Sequence, residues 1–511
     1  MRLCIIILCI LINEGSTNFD TPGGINFNLQ HARSVFSQAL DSLEKILEGT
    51  GSLVTIALDQ IKVCVRTVIE SIEEKFEATN INKGGIRKPA ATSRTLQNKN
   101  LSQNKGTTKG HIDAEAWSEL LDSIAEVNDN SKSTASQVRT LKKLPPPPTP
   151  VDLIKEAGYP AESHYVITPP GYILNLNRIP HGKNRRKTKR VAYLQHGFID
   201  STYSWVHDFG GALAYILADA GYDVWMGDAR GNTYSRNHTT LDPDDDPEFW
   251  NYSWHDMAVE DLPAIIDYII KHTGTDGIYY VGHSQGGTMF YAMTASKPEM
   301  NSKIKAHVSM SPITYAGHTK SPVMKLLADY RGPLEKFLHR IGANEFLPHR
   351  EMGEVPASIC SEGVGPILCS MLLFAIEGYG PDQMNVTITS EIMKYIPAGA
   401  SIKQSLHFLA NMKSGRFAQF DYGHFGNLKR YGSLSPPEYD LKKVTAPTYL
   451  IYTSSDWLSD AMDNDKVYEE LPNCIGRTIL KDPAFNHIDL MYGKYAPDMI
   501  YRKIVEFFSR Y

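Results

Sequence analysis

The chain is short of the features that would mark it for several functional classes. Its 511 residues contain only six cysteines, and 52 Lys and Arg stand against 57 Asp and Glu, a formal net charge of −5. A nearly balanced, slightly acidic chain lacks the cationic surface that nucleic acid requires, so nucleic acid is excluded as a partner. No apolar run of about 20 residues occurs, which excludes a transmembrane helix. Cysteine and histidine do not combine at zinc-ligand spacing, and prolines interrupt the acidic run Asp242 to Asp246. No metal and no other cofactor is therefore expected. Before residue 150 no convincing strand pattern appears.

What the N-terminus does have is a leader pattern. Arg2 precedes the apolar run Leu3 to Ile12, and the small residues Gly15, Ser16 and Thr17 follow. Residues 1–17 are read as a secretory signal, which makes the mature protein extracellular, with the lysosome as the alternative destination. Secretion permits disulfides and N-glycans. With Cys4 and Cys9 removed, Cys64, Cys360, Cys369 and Cys474 remain, and four cysteines allow three full pairings. The short, bent stretch through Gly363, Gly365 and Pro366 favours Cys360 with Cys369. Asn100, Asn237, Asn251 and Asn385 fit the glycosylation triplet.

Residues 18–142 read as a helical, partly disordered extension. Leu29, Ala32, Phe36, Ala39, Leu43 and Ile46 recur at helical spacing, and Val54, Leu58, Ile61, Val65, Val68 and Ile72 repeat the pattern after a break. Residues 79–112 are too polar to pack. The plain expectation is an appendage that packs on itself or a partner. Self-association or lipid contact through these helices is the sharper one. Residues 143–150 contain a proline run and form an extended linker.

From residue 151 short apolar runs alternate with helical stretches. Val191 to Gln195, Tyr222 to Met226, Ile278 to Val281, Lys305 to Met310, Tyr449 to Thr453 and Arg477 to Leu480 read as buried strands. That alternation predicts an α/β domain over 151–511, with a mostly parallel sheet and helices on both faces. Chemistry in such sheets gathers at the carboxyl ends of the strands.

Gly282-His283-Ser284-Gln285-Gly286 lies there, between a strand and a helix. Such a turn lifts the serine hydroxyl above the sheet, and its glycines keep the space around it clear. Ser284 is thus the candidate nucleophile. It needs a histidine base and an acid, in the order serine, acid, histidine. Asp456 follows the strand ending at Thr453, and His487 follows the strand ending at Leu480. Asp460 and Asp463 are rivals for the acid. His318, His339, His349, His407 and His424 are rivals for the base. The oxyanion hole is expected from the backbone N–H groups of Gln285 and of Phe198, which follows the strand ending at Gln195. His196 is read as structural.

These segments resemble the acid lipase family, which includes gastric and lysosomal acid lipases. The likeness rests on Gly158-Tyr159-Pro160, Asn177-Arg178-Ile179-Pro180-His181-Gly182, Leu194-Gln195-His196-Gly197, Trp225 to Thr233, Asp261-Leu262-Pro263-Ala264 and the Ser284 pentapeptide. Pro397-Ala398-Gly399, Lys413-Ser414-Gly415 and Asn486-His487 extend it. The resemblance implies an α/β-hydrolase fold with a cap inserted at about 313–435, a triad of Ser284, Asp456 and His487, oxyanion donors Phe198 and Gln285, and a Cys360–Cys369 disulfide. It also implies lipid ester substrates, such as triacylglycerols or sterol esters, met at a lipid–water interface. Phe198 stands where family members often carry leucine, and Glu377 where some relatives have a further cysteine. Residues before 150 match nothing in the family. The competing expectations are a carboxylesterase on smaller esters and a non-catalytic lipid-binding protein.

Overall fold

A computed structural model describes residues 147–511 apart from 186–188, 208, 210, 341, 348–372, 374–375, 379–382 and 384–385. The leader, the N-terminal extension, most of the linker, Asn100, Asn385, His349 and the Cys360–Cys369 pair lie outside the described residues. Cys474 is a half-buried free thiol.

Eight strands form one sheet in the order β1-β2-β4-β3-β5-β6-β9-β10. They are β1 (Glu162–Ile167), β2 (Ile173–Ile179), β3 (Val191–Gln195), β4 (Asp223–Gly227), β5 (Ile278–His283), β6 (Ile304–Met310), β9 (Thr448–Thr453) and β10 (Cys474–Leu480). The short strands β7 (Glu345–Phe346) and β8 (Ala400–Ser401) pair separately. From β4 to β10 every pairing is parallel; β2 runs antiparallel to both β1 and β4. This is the mostly parallel α/β sheet expected from the strand–helix alternation, in the α/β-hydrolase form that the family resemblance implies.

The central strands are buried on both faces because helices cover each side. Alternate residues feed two cores. Tyr193, Trp225, Tyr280 and Tyr452 enter one; Ala192, Leu194, Val224, Met226, Val281 and Ile451 enter the other. Helices α1 (Leu262–Thr273) and α2 (Gln285–Ser296) supply the first core, and the C-terminal helix (Arg502–Phe508) closes the second. Each aliphatic side chain so enclosed contributes about 1.5–3 kcal/mol.

The linker reading ends earlier than expected. Pro150 opens a short helix rather than finishing an extended run. Thr149 caps it, and proline suits a first helical position, where no N–H is needed.

The described chain between β6 and β9 adds no strand to the central sheet. It contributes helices α3 (Ile402–Ser414) and α4 (Gly423–Tyr431), among others. Among the described residues no helix is long and apolar enough to cross a membrane.

Candidate active site

Three turns at the carboxyl ends of β5, β9 and β10 carry the candidate groups. At the first, β5 ends at His283 and α2 begins at Gln285, so Ser284 alone makes the turn. Its φ of 52° and ψ of −117° lie where L-residues seldom go, a strain of about 1–3 kcal/mol. Neighbours hold it there. The Ser284 N–H donates to the Met310 carbonyl (2.9 Å), and its carbonyl accepts from Gly287 and Thr288 (3.1 and 3.2 Å). A Cβ on Gly282 would lie 2.5 Å from the Gly286 carbonyl carbon, and one on Gly286 would lie 2.3 Å from the Gln195 carbonyl oxygen. The sharp turn therefore requires glycine at both places.

At the second turn Asp456 is fully buried. Its Oδ1 accepts the N–H groups of Leu458 and Ser459, each at 2.8 Å. Its Oδ2 lies 2.6 Å from Nδ1 of His487, which the third turn presents. Burial works against charge on this imidazole, but the Asp456 carboxylate offsets it by charge and hydrogen bond, and the net shift is upward. Because Nδ1 faces a carboxylate, it carries the proton, which leaves Nε2 as the free base. Asn486 shapes this turn: its Oδ1 accepts from Ile488 and Asp489, each at 3.1 Å. The His487 loop runs beside the Ser284 turn, with the His283 ring 4.9 Å from the His487 ring and His283 Nε2 3.3 Å from the His487 carbonyl oxygen.

The loop after β3 is fixed by a buried imidazole. The Ala229 N–H donates to His196 Nε2 (3.0 Å), so Nε2 is an acceptor and Nδ1 bears the hydrogen. Nδ1 then donates to the Gly197 carbonyl (2.8 Å). That carbonyl and the Phe198 N–H share one planar peptide and point in opposite directions. Holding one aims the other. Asp228 braces the same loop, accepting from Thr202 N–H, Asn175, Asn177 and Asn232 at 2.8–3.2 Å. Gln285, the first residue of α2, has an N–H with no intrahelical acceptor.

An alpha/beta hydrolase fold model matches residues 193–356, and a partial alpha/beta-hydrolase lipase region matches residues 150–208. "Lipase 3" of Drosophila melanogaster is 38% identical over 363 residues, 70% of this chain and 92% of that protein. "Gastric triacylglycerol lipase" of Bos taurus is 37% identical over 361 residues, 69% of this chain and 89% of that protein. "Lipase member K" of Homo sapiens is 35% identical over 365 residues, 70% and 90% of the two chains. The chain belongs to the acid lipase family.

In this acid lipase family member four of the rival residues, Asp460, Asp463, His318 and His407, are engaged elsewhere. Asp460 caps the helix Ala461–Glu470 and pairs with Lys320 at 2.7 Å. Asp463 pairs with His318 at 2.7 Å. His407 stacks on Trp254 with ring centroids 3.8 Å apart, and burial pushes its imidazole down to about 3. Glu162, His164 and His272 gather closely enough to suit a metal. The Arg178 guanidinium, however, donates to Glu162 (2.7 Å) and lies 3.4 Å from His272, so a cation already fills that place.

Sequence reasoning missed several supporting residues. Asp228 stands within a quoted family motif, but its Asn partners lie 51 and 53 residues away on β2. Gln404 of α3 donates to the side-chain oxygen of Gln285 at 2.5 Å. The Ala398 N–H donates to the Ile199 carbonyl at 2.7 Å, tying the chain between β6 and β9 to the loop that carries Phe198. The Phe198 ring sits 5.7 Å from the rings of both Phe346 and Phe408.

Proposed function

We propose that the chain is a serine ester hydrolase that cleaves lipid esters through Ser284, His487 and Asp456. The observation that carries this reading is the buried Asp456–His487 pair lying beside the strained Ser284 turn. His487 Nε2 takes the Ser284 hydroxyl proton as the oxygen attacks the ester carbonyl. Asp456 keeps the proton on Nδ1 and stabilises the imidazolium. The N–H groups of Phe198 and Gln285 receive the oxyanion, each donor being worth about 3 kcal/mol. The imidazolium protonates the departing alcohol, leaving an acyl-serine. Water, deprotonated by His487, then releases the fatty acid.

A lipid substrate is supported by two features. The relatives are named lipases, and the aromatic trio Phe198, Phe346 and Phe408 offers an apolar wall beside the oxyanion loop. Residues 313–435 act as a cap in this reading, since Phe346, Gln404 and Phe408 all come from that stretch. Purified enzyme is expected to hydrolyse emulsified long-chain triacylglycerol with higher specific activity than a dissolved short-chain ester. The reverse order on a substrate panel would identify a carboxylesterase.

We also propose that the chain enters the secretory route through residues 1–17, for export or the lysosome, with a Cys360–Cys369 disulfide. Asn237 and Asn251 are both exposed, as glycan acceptors must be. Protein from eukaryotic secretory cells should lose mass on treatment with peptide N-glycosidase. The double variant N237Q/N251Q should lose less. An enzyme whose mass that treatment leaves unchanged would remove the glycan reading.

A further inference from the structure

Two consecutive residues of the chain between β6 and β9 touch the acid loop and the base loop together. The carbonyl of Glu377 accepts the N–H of Trp457, next to Asp456, at 3.1 Å. The carbonyl of Gly378 accepts from Asn486 Nδ2, next to His487, at 2.8 Å. The approach is close: a Cβ on Gly378 would lie 2.5 Å from the Ser455 carbonyl oxygen and 3.4 Å from Asn486 Cβ. Glu377 is thus anchored where the two loops meet.

The Glu377 side chain follows its backbone inward. The residue is partly buried, and its Oε2 is enclosed with no hydrogen-bond partner. Enclosing a carboxylate oxygen without a donor is unfavourable, so a charge interaction is the natural reason to keep it. Burial pushes the carboxyl up to about 7; His487 acts to lower it, and Asp456 to raise it further. Asp489 and Asp200 are the other titratable groups that feel its charge. In return, Glu377 adds to the upward pull of Asp456 on the His487 imidazole.

We propose that Glu377 is a positioning residue of the catalytic site, a second carboxyl partner that sets the charge state of His487 together with Asp456. This rests on the triad reading above and deepens it. Ionised Glu377 favours the imidazolium, and the two groups titrate as a pair. On acidification, the base is therefore withdrawn at higher pH than Asp456 alone would dictate. Removing the carboxylate keeps Nε2 free to lower pH.

The test is the pH profile of kcat/KM on a soluble nitrophenyl ester, which avoids interfacial effects. Glu377→Gln keeps the side-chain shape and is expected to move the acidic limb down by about half a pH unit or more. Glu377→Asp keeps a carboxyl and should stay near the wild-type limb. Glu377→Cys provides a second neutral variant. The pH dependence of Ser284 inactivation by an organophosphate reads the same base without substrate, and should shift likewise. If the limbs of the Gln and Cys variants superimpose on wild type, or move upward, the inference fails. A Ser284→Ala enzyme that still turned over ester would instead overturn the triad reading beneath it.

Discussion

Ser284→Ala should lower kcat for ester hydrolysis by about a million-fold while the cooperative unfolding transition survives. The size follows from the loss of the covalent route. What remains is about 10³–10⁴-fold over water, supplied by binding and the oxyanion donors. The fold should persist because the hydroxyl supports nothing structural. The turn is held by the Ser284 N–H, its carbonyl and the two flanking glycines, all of which alanine retains. Steady-state kinetics with thermal unfolding monitored on the same sample would check both halves. A variant that keeps even one per cent of wild-type turnover would assign the chemistry to another residue.

Asp456→Asn should cost about 10⁴-fold in kcat, despite changing one atom for another of similar size. An asparagine can still offer its oxygen to the Leu458 and Ser459 N–H groups, which currently bind Oδ1. Its NH₂ then faces His487. A donor facing that position selects the imidazole tautomer with a bare Nδ1, and the hydrogen moves to Nε2, where the base should be free. Asp460→Asn and Asp463→Asn are the controls. Both carboxylates are committed to other partners, so their loss should leave kcat within about tenfold, as expected for groups away from the chemistry. A loss below about tenfold in Asp456→Asn would remove it from the acid role.

The parts of this fold visible in the sequence are those whose cause is local. β3, β4 and β5 are buried on both faces, so they read as unbroken apolar runs. The Ser284 turn was legible because strand, glycine spacing and helix adjoin. β1 and β2 were not. β1 is mostly exposed, so its apolar signal is thin. β2 carries Asn175 and Asn177, residues ill suited to strands, and both are buried. Their stability there depends on the Asp228 carboxylate, which arrives from the turn after β4 through folding alone. Glu377 shows the same limit differently. Its position was notable in sequence for replacing a cysteine of some relatives, but its neighbourhood with Asp456 and His487 exists only once distant loops meet.

The neutral His196 ring carries a cost as well as a benefit. Burial lowers its affinity for protons, so the hydrogen bonds that aim the loop carrying Phe198 outlast mild acid. The unfolded chain has no such shelter, and there the same ring takes up a proton near its ordinary value of 6.5. Between those two values the disordered state binds more protons than the native one, so native stability falls as pH falls. Souring the medium therefore spares the alignment of the reacting groups longer than it spares the protein's margin against denaturation.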